Sequence, residues 1–103
     1  MSEALLCLNL APELELEVID WLLAQPDIDG FTSLPCYGHG RRHALLSVAE
    51  RVAGKTRRVQ LQVQLPEPLC APLLAALREA FGGSDMVYWV LPVLASGALD
   101  GAP

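Results

Sequence analysis

VQLQVQL, residues 59–65, alternates Val59, Leu61, Val63 and Leu65 with Gln60, Gln62 and Gln64. A side-chain period of two puts the four aliphatic residues on one face of a β-strand and the three glutamines on the other. Downstream, Pro66 to Pro72 opens a helix in which Leu73, Leu74, Leu77, Ala80 and Phe81 recur at helical spacing, and Gly82-Gly83 can end it. MVYWVLPV, residues 86–93, then has the composition of a further strand.

Upstream, ALLCLNL at 4–10 is a short apolar run stopped by Ala11-Pro12, as expected of a strand buried on both faces. Pro12 fits a first helical turn, and Glu13, Glu15 and Glu17 sit favourably near the positive end of the helix dipole. Leu14, Val18 and Leu22, with Ile19 and Trp21, make one apolar stripe on that helix, which ends near Gln25-Pro26. FTSLPCY at 31–37 is a strand whose Pro35 places it at a sheet edge or a bulge.

The order strand, helix, strand, strand, helix, strand predicts an α+β domain of the ferredoxin-like βαββαβ type over residues 1–95. Residues 38–58 form a long excursion between the second and third strands, and 96–103 form a mobile tail. Two helices cover one face of such a sheet. Strands one and four are apolar at odd and even positions alike, so the second face is expected to expose a large patch and to drive homo-oligomerisation, with the glutamine row hydrogen-bonded inside.

The chain is acidic, with a net charge of −5, yet GHGRRHALLSVAERVAGKTRR at 38–58 holds six of its seven Lys and Arg residues and both histidines. That segment is net positive on a strongly negative background, which excludes a general nucleic-acid binder and leaves room for a compact anionic partner. No basic n-region opens the sequence and no stretch is apolar for long enough to cross a bilayer. Cys7, Cys36 and Cys70 are an odd number without framework spacing, which suits a reducing compartment, so the protein is expected to be cytoplasmic. Cys7 in an apolar strand and Cys70 at a helix start read as core residues.

Where the second strand meets the excursion, Cys36, His39 and His43 fall at intervals of three and four, with Glu50 further on. Thiolate with imidazole suits Cu(I) or Zn(II), and an oligomer would complete the ligand shell from adjacent subunits. The plainer reading makes Cys36 a small strand side chain and the histidines solvated. HALLSVAERVAG reads as a short helix, with Ser47 and Glu50 as a capping box and Gly54 as a stop, whose apolar side docks on a neighbouring subunit or another protein. No dinucleotide fingerprint, nucleophile elbow or close carboxylate pair is present, so no enzyme is expected.

Gly38-His39-Gly40-Arg41 resembles the Gly-x-Gly-Arg with which PII signalling proteins begin their regulatory loop, and Gly82-Gly83-Ser84-Asp85 resembles their phosphate-facing loop. Gly38-His39-Gly40, Leu46-Ser47, Glu50, Val52-Ala53-Gly54, Arg58-Val59-Gln60 and Tyr88-Trp89-Val90-Leu91-Pro92-Val93 are similar to a small PII-like family of unknown function, whose genes often neighbour heavy-metal efflux systems. The resemblance implies a homotrimer and a regulatory protein that senses its ligand through residues 38–58 at subunit clefts, tied to copper- or zinc-type efflux. Its protein partner would be an efflux component. The alternatives are an adenine-nucleotide or small-anion sensor using Gly38, Gly40, Arg41, Arg42, Arg58, Gly82 and Gly83, and a structural adaptor. The family's basic residues around the last strand are missing here, where Asp85 is the only charge, so nucleotide binding is expected to be weakened.

Overall fold

A computed structural model describes residues 2–40 and 55–101. The elements run β1 (Glu3–Leu10), α1 (Glu15–Leu23), β2 (Phe31–Gly38), β3 (Thr56–Pro66), α2 (Cys70–Phe81) and β4 (Val87–Val93). Each helix is entered through a single 3-10 turn carrying a proline, Pro12–Leu14 before α1 and Glu67–Leu69 before α2. Proline suits these starts because its missing N–H would have no intrahelical acceptor there.

The four strands form one antiparallel sheet in the order β2-β3-β1-β4, which is the ferredoxin-like arrangement. β3 extends past the alternating segment at both ends, and β2, which contains Pro35, is an edge strand, the position in a sheet where proline is tolerated. On the central pair, Ala4 stands opposite Leu65, Leu6 opposite Val63, Leu8 opposite Leu61 and Leu10 opposite Val59. All eight are buried. Val18 and Leu22 of α1 and Leu77 of α2 join the same cluster, and Leu14, Ile19, Trp21, Leu73, Leu74 and Phe81 pack around it. Trp21 and Phe81 meet edge to face with ring centroids 6.1 Å apart, tying the two helices together.

The opposite face carries Gln60, Gln62 and Gln64 on β3, and alternation puts Val87, Trp89 and Leu91 of β4 on the same side of the sheet. Trp89 is 39% exposed and Leu91 47%. β1, between them, departs from the expected pattern. Its outward Cys7 is only 1% exposed, because the strand is central and its register partners on either side are Gln62 and Trp89. The apolar exposure of the sheet is thus concentrated on β4. The glutamine row finds partners within the chain, Gln62 Nε2 donating to Gln60 Oε1 at 2.9 Å and Gln64 Nε2 to Ser96 Oγ at 2.8 Å.

α2 stops at Gly82, where the backbone turns extended and leaves no room for a side chain. A Cβ on Gly82 would lie 2.6 Å from the carbonyl oxygen of Arg78, and Gly83 takes φ +92°, in the left-handed region. No helix among the described residues is long and apolar enough to cross a membrane. The capping box at Ser47 and Glu50, with the rest of the helix expected around it, lies outside the described residues.

Truncating Leu61 to Ala should destabilise the fold by about 2–5 kcal/mol in urea unfolding, because the side chain is fully buried at the centre of the sheet. Gly82→Ala should cost about 1–3 kcal/mol in the same measurement, since the Arg78 carbonyl belongs to the helix backbone and cannot move aside freely.

Candidate functional site

Antiparallel pairing brings the end of β1, the end of β2, the start of β3 and the start of β4 to one edge of the sheet. Gly38 closes β2 there and pairs with Thr56 as the chain returns, so residues 39–55 leave and re-enter at this edge. The Gly82–Asp85 loop arrives at the same place before β4. Of the residues singled out in the sequence, the fold gathers Cys36, Gly38, Arg58, Gly82 and Gly83 at or near this edge. Arg41, Arg42 and His43 lie outside the described residues.

Arg58 is the centre of the arrangement. Its Nε donates to Asn9 Oδ1 at 2.7 Å and Nη2 to the Asn9 carbonyl at 3.1 Å. Nη1 donates to Asp85 Oδ2 at 2.9 Å and Nη2 to the Asp85 carbonyl at 3.2 Å. These contacts use four of the five guanidinium N–H groups. The Arg58 side chain is 10% exposed and that of Asp85 28%, so the pair is screened by solvent far less than a surface ion pair. Gly38 makes room for the guanidinium's stem, because a Cβ there would approach Arg58 Cγ to 3.3 Å.

The Gly82–Asp85 loop is shaped from both ends. Ser84 donates to the Phe81 carbonyl through Oγ at 2.7 Å and through its backbone N–H at 3.3 Å, while Asp85 is held by Arg58. Gly82 and Gly83 therefore have a conformational role in ending α2 and turning the chain, whatever else they contact. Lys55 marks the re-entry point, with Nζ 4.2 Å from the ring centroid of Tyr37.

Cys36 is half-buried, stands opposite Arg58 in the ladder, and accepts a long contact of 3.9 Å from Asn9 Nδ2. Burial pushes the Cys7 thiol up, with a hydrogen bond to the Trp89 side chain opposing it. Burial, followed by the nearby Glu67 carboxylate, pushes Cys70 up as well. Both fit the core role read from the sequence. Among the described residues, no three His, Cys, Asp or Glu side chains come together to hold a metal ion.

Two partners of Arg58 escaped the sequence reading. Asn9 is the one polar residue inside the apolar 4–10 run, and Asp85 is the one charge in its loop. Those singularities were the available signals. A recess of about 210 Å³ opens between α2 and β4 on the other side of the same loop, lined by Leu77, Phe81 and Met86, by Gly82, Gly83 and Ser84, and by Tyr88. Arg78 Nη2 donates to the Tyr88 hydroxyl at 3.3 Å.

Comparison with known proteins agrees with this architecture. A DUF3240 family protein from Shewanella baltica OS155 superposes with a TM-score of 0.78 at 22% identity, over 96% of this chain and 98% of that one. CPII, a nitrogen regulatory PII-like protein from Thiomonas intermedia K12 whose structure is bound to ADP, AMP and bicarbonate, gives 0.70 at 19% identity over 96% and 98%. A proposed PII-like signalling protein from Thermus thermophilus gives 0.65 at 19% identity over 90% and 88%. No curated protein sequence is detectably similar. The fold is PII-like, and the match of residues 1–100 to the family described as "Protein of unknown function (DUF3240)" shows that the chain belongs to the DUF3240 family.

Proposed function

We propose that this protein is a non-enzymatic PII-like regulator that takes an anionic effector, an adenine nucleotide or a small anion, at the sheet edge where residues 39–55 emerge. One observation carries the reading. Gly38, Arg58 and the Gly82–Asp85 loop, far apart in sequence, converge on that edge around one guanidinium. A cation bonded to the loop before β4 and seated at the base of the excursion is well placed to convert ligand occupancy into a change of loop geometry. CPII, a protein of the same fold, is bound to ADP, AMP and bicarbonate. In this reading Arg41 and Arg42 add to the same site from the excursion, and the protein works in the cytoplasm.

The exposed face of β4 supports a homotrimer. Val87, Trp89 and Leu91 lie along the face the helices leave bare, and burying each is worth roughly 1.5–3 kcal/mol. A metal-sensing variant of the reading draws on Cys36, the one cysteine that is not fully buried, with His39 three residues on and His43 beyond. There copper or zinc would be the effector, and an efflux-system protein would be the partner reached through residues 38–58.

Native mass spectrometry of the reduced protein tests these readings together. Uptake of AMP or ADP that falls in Arg58→Gln supports the anionic effector. Uptake of Cu(I) or Zn(II) that disappears in His39→Ala/His43→Ala supports the metal instead. Binding of neither leaves a structural adaptor. Trp89→Glu should shift the mass measured by light scattering from three chains to one, whereas an unchanged assembly would place the interface elsewhere.

A further inference from the structure

We propose, resting on the anionic-effector reading, that the Asp85 carboxylate is a built-in counter-ion, occupying Arg58 donors that an effector anion would otherwise take, so that this residue sets which anions the site accepts.

The geometry gives Asp85 two of the four contacts on Arg58, one through the carboxylate at 2.9 Å and one through its own backbone carbonyl at 3.2 Å. Asn9 takes the other two and is neutral. An incoming anion therefore meets a guanidinium whose charge is already matched by an internal carboxylate. It must either displace Asp85 or bind alongside a negative charge. A polyphosphate suffers more than a singly charged anion, since each added charge is repelled by the carboxylate while Arg58 contributes only one positive charge. Asp85 also ends a short loop whose Ser84 turns onto Phe81, and its backbone carbonyl is bonded to Arg58 as well, so an anion that takes both of these Arg58 donors must also part the loop backbone from the guanidinium. Selection and loop movement are then the same event: an anion strong enough to win Arg58 releases the Gly82–Asp85 loop from the base of β3.

The charge can be tested by substitution without changing size. Asp85→Asn removes the charge and keeps the shape, and Asp85→Ser is a second variant should the first be unstable. Isothermal titration with ADP, AMP and inorganic pyrophosphate is performed on the full chain, on each variant and on Asp85→Asn/Arg58→Gln, with urea unfolding as the fold control. The expected result is at least about tenfold tighter binding of ADP and pyrophosphate by Asp85→Asn, a smaller gain for AMP, and loss of the gain in the double variant.

Unchanged or weaker ADP binding by Asp85→Asn, in a wild-type protein that binds these anions, overturns the role given to Asp85 and leaves the effector reading standing. A gain that survives Arg58→Gln also overturns it, since general charge reduction would then be the cause. Absence of any binding by wild type and variants alike overturns both.

Discussion

Two helices can cover only one face of a four-stranded sheet, and nearly everything else about this protein follows from how the second face is handled. On the covered face, β1 and β3 interleave eight aliphatic side chains beneath α1 and α2, all of them buried. On the other face the same two strands diverge. β3 turns out glutamines and Arg58, and β1 turns out Leu5, Cys7 and Asn9. The uncovered face thus grades from apolar on β4 to polar on β3. Two of the glutamine amides already donate within the chain, Gln62 to Gln60 and Gln64 to Ser96, which lowers the cost of covering this part of the face.

The polar end of that face holds an ion pair that spans the sheet. Arg58 reaches across β1 to Asp85, bonding Asn9 on the way, so β3, β1 and the loop before β4 share one guanidinium. Such a pair contributes modestly to stability once desolvation is counted, and its stronger effect is on geometry. It fixes the distance between the base of the excursion and the loop before β4. The same guanidinium therefore holds both segments to β1 through Asn9.

Period and punctuation make most of the architecture legible in the sequence. The Val59–Leu65 alternation, the prolines at 12 and 68, and the Gly82-Gly83 stop lie where the elements run, start or end. Element ends move by a few residues because ladders extend for as long as a partner strand is available, as when Thr56 pairs with Gly38. The site is only half legible. Gly38, Arg58 and the Gly82–Asp85 loop stand out by type and by resemblance, but pairing is a property of three-dimensional register. No spacing rule links Asn9 to Arg58, forty-nine positions away, or Arg58 to Asp85. The expectation that β1 would share in the exposed patch fails at Cys7 for a related reason, since side-chain neighbours from adjacent strands bury what alternation alone would leave bare.

The charge distribution acquires a physical sense from this geometry. Six of the chain's seven Lys and Arg residues lie between positions 38 and 58, among them Lys55 and Arg58 at the base of the excursion. Arg58 is drawn in, and is satisfied by Asp85 and Asn9 at the sheet edge. Lys55, at the re-entry point, lies over the face of Tyr37 and uses a π-system in place of a carboxylate. These two cations at the base of the excursion are therefore held in fixed positions by specific partners, one anionic and one aromatic. The base of the excursion is thereby tied to β1 and to the loop before β4 through Arg58, and to β2 through Tyr37.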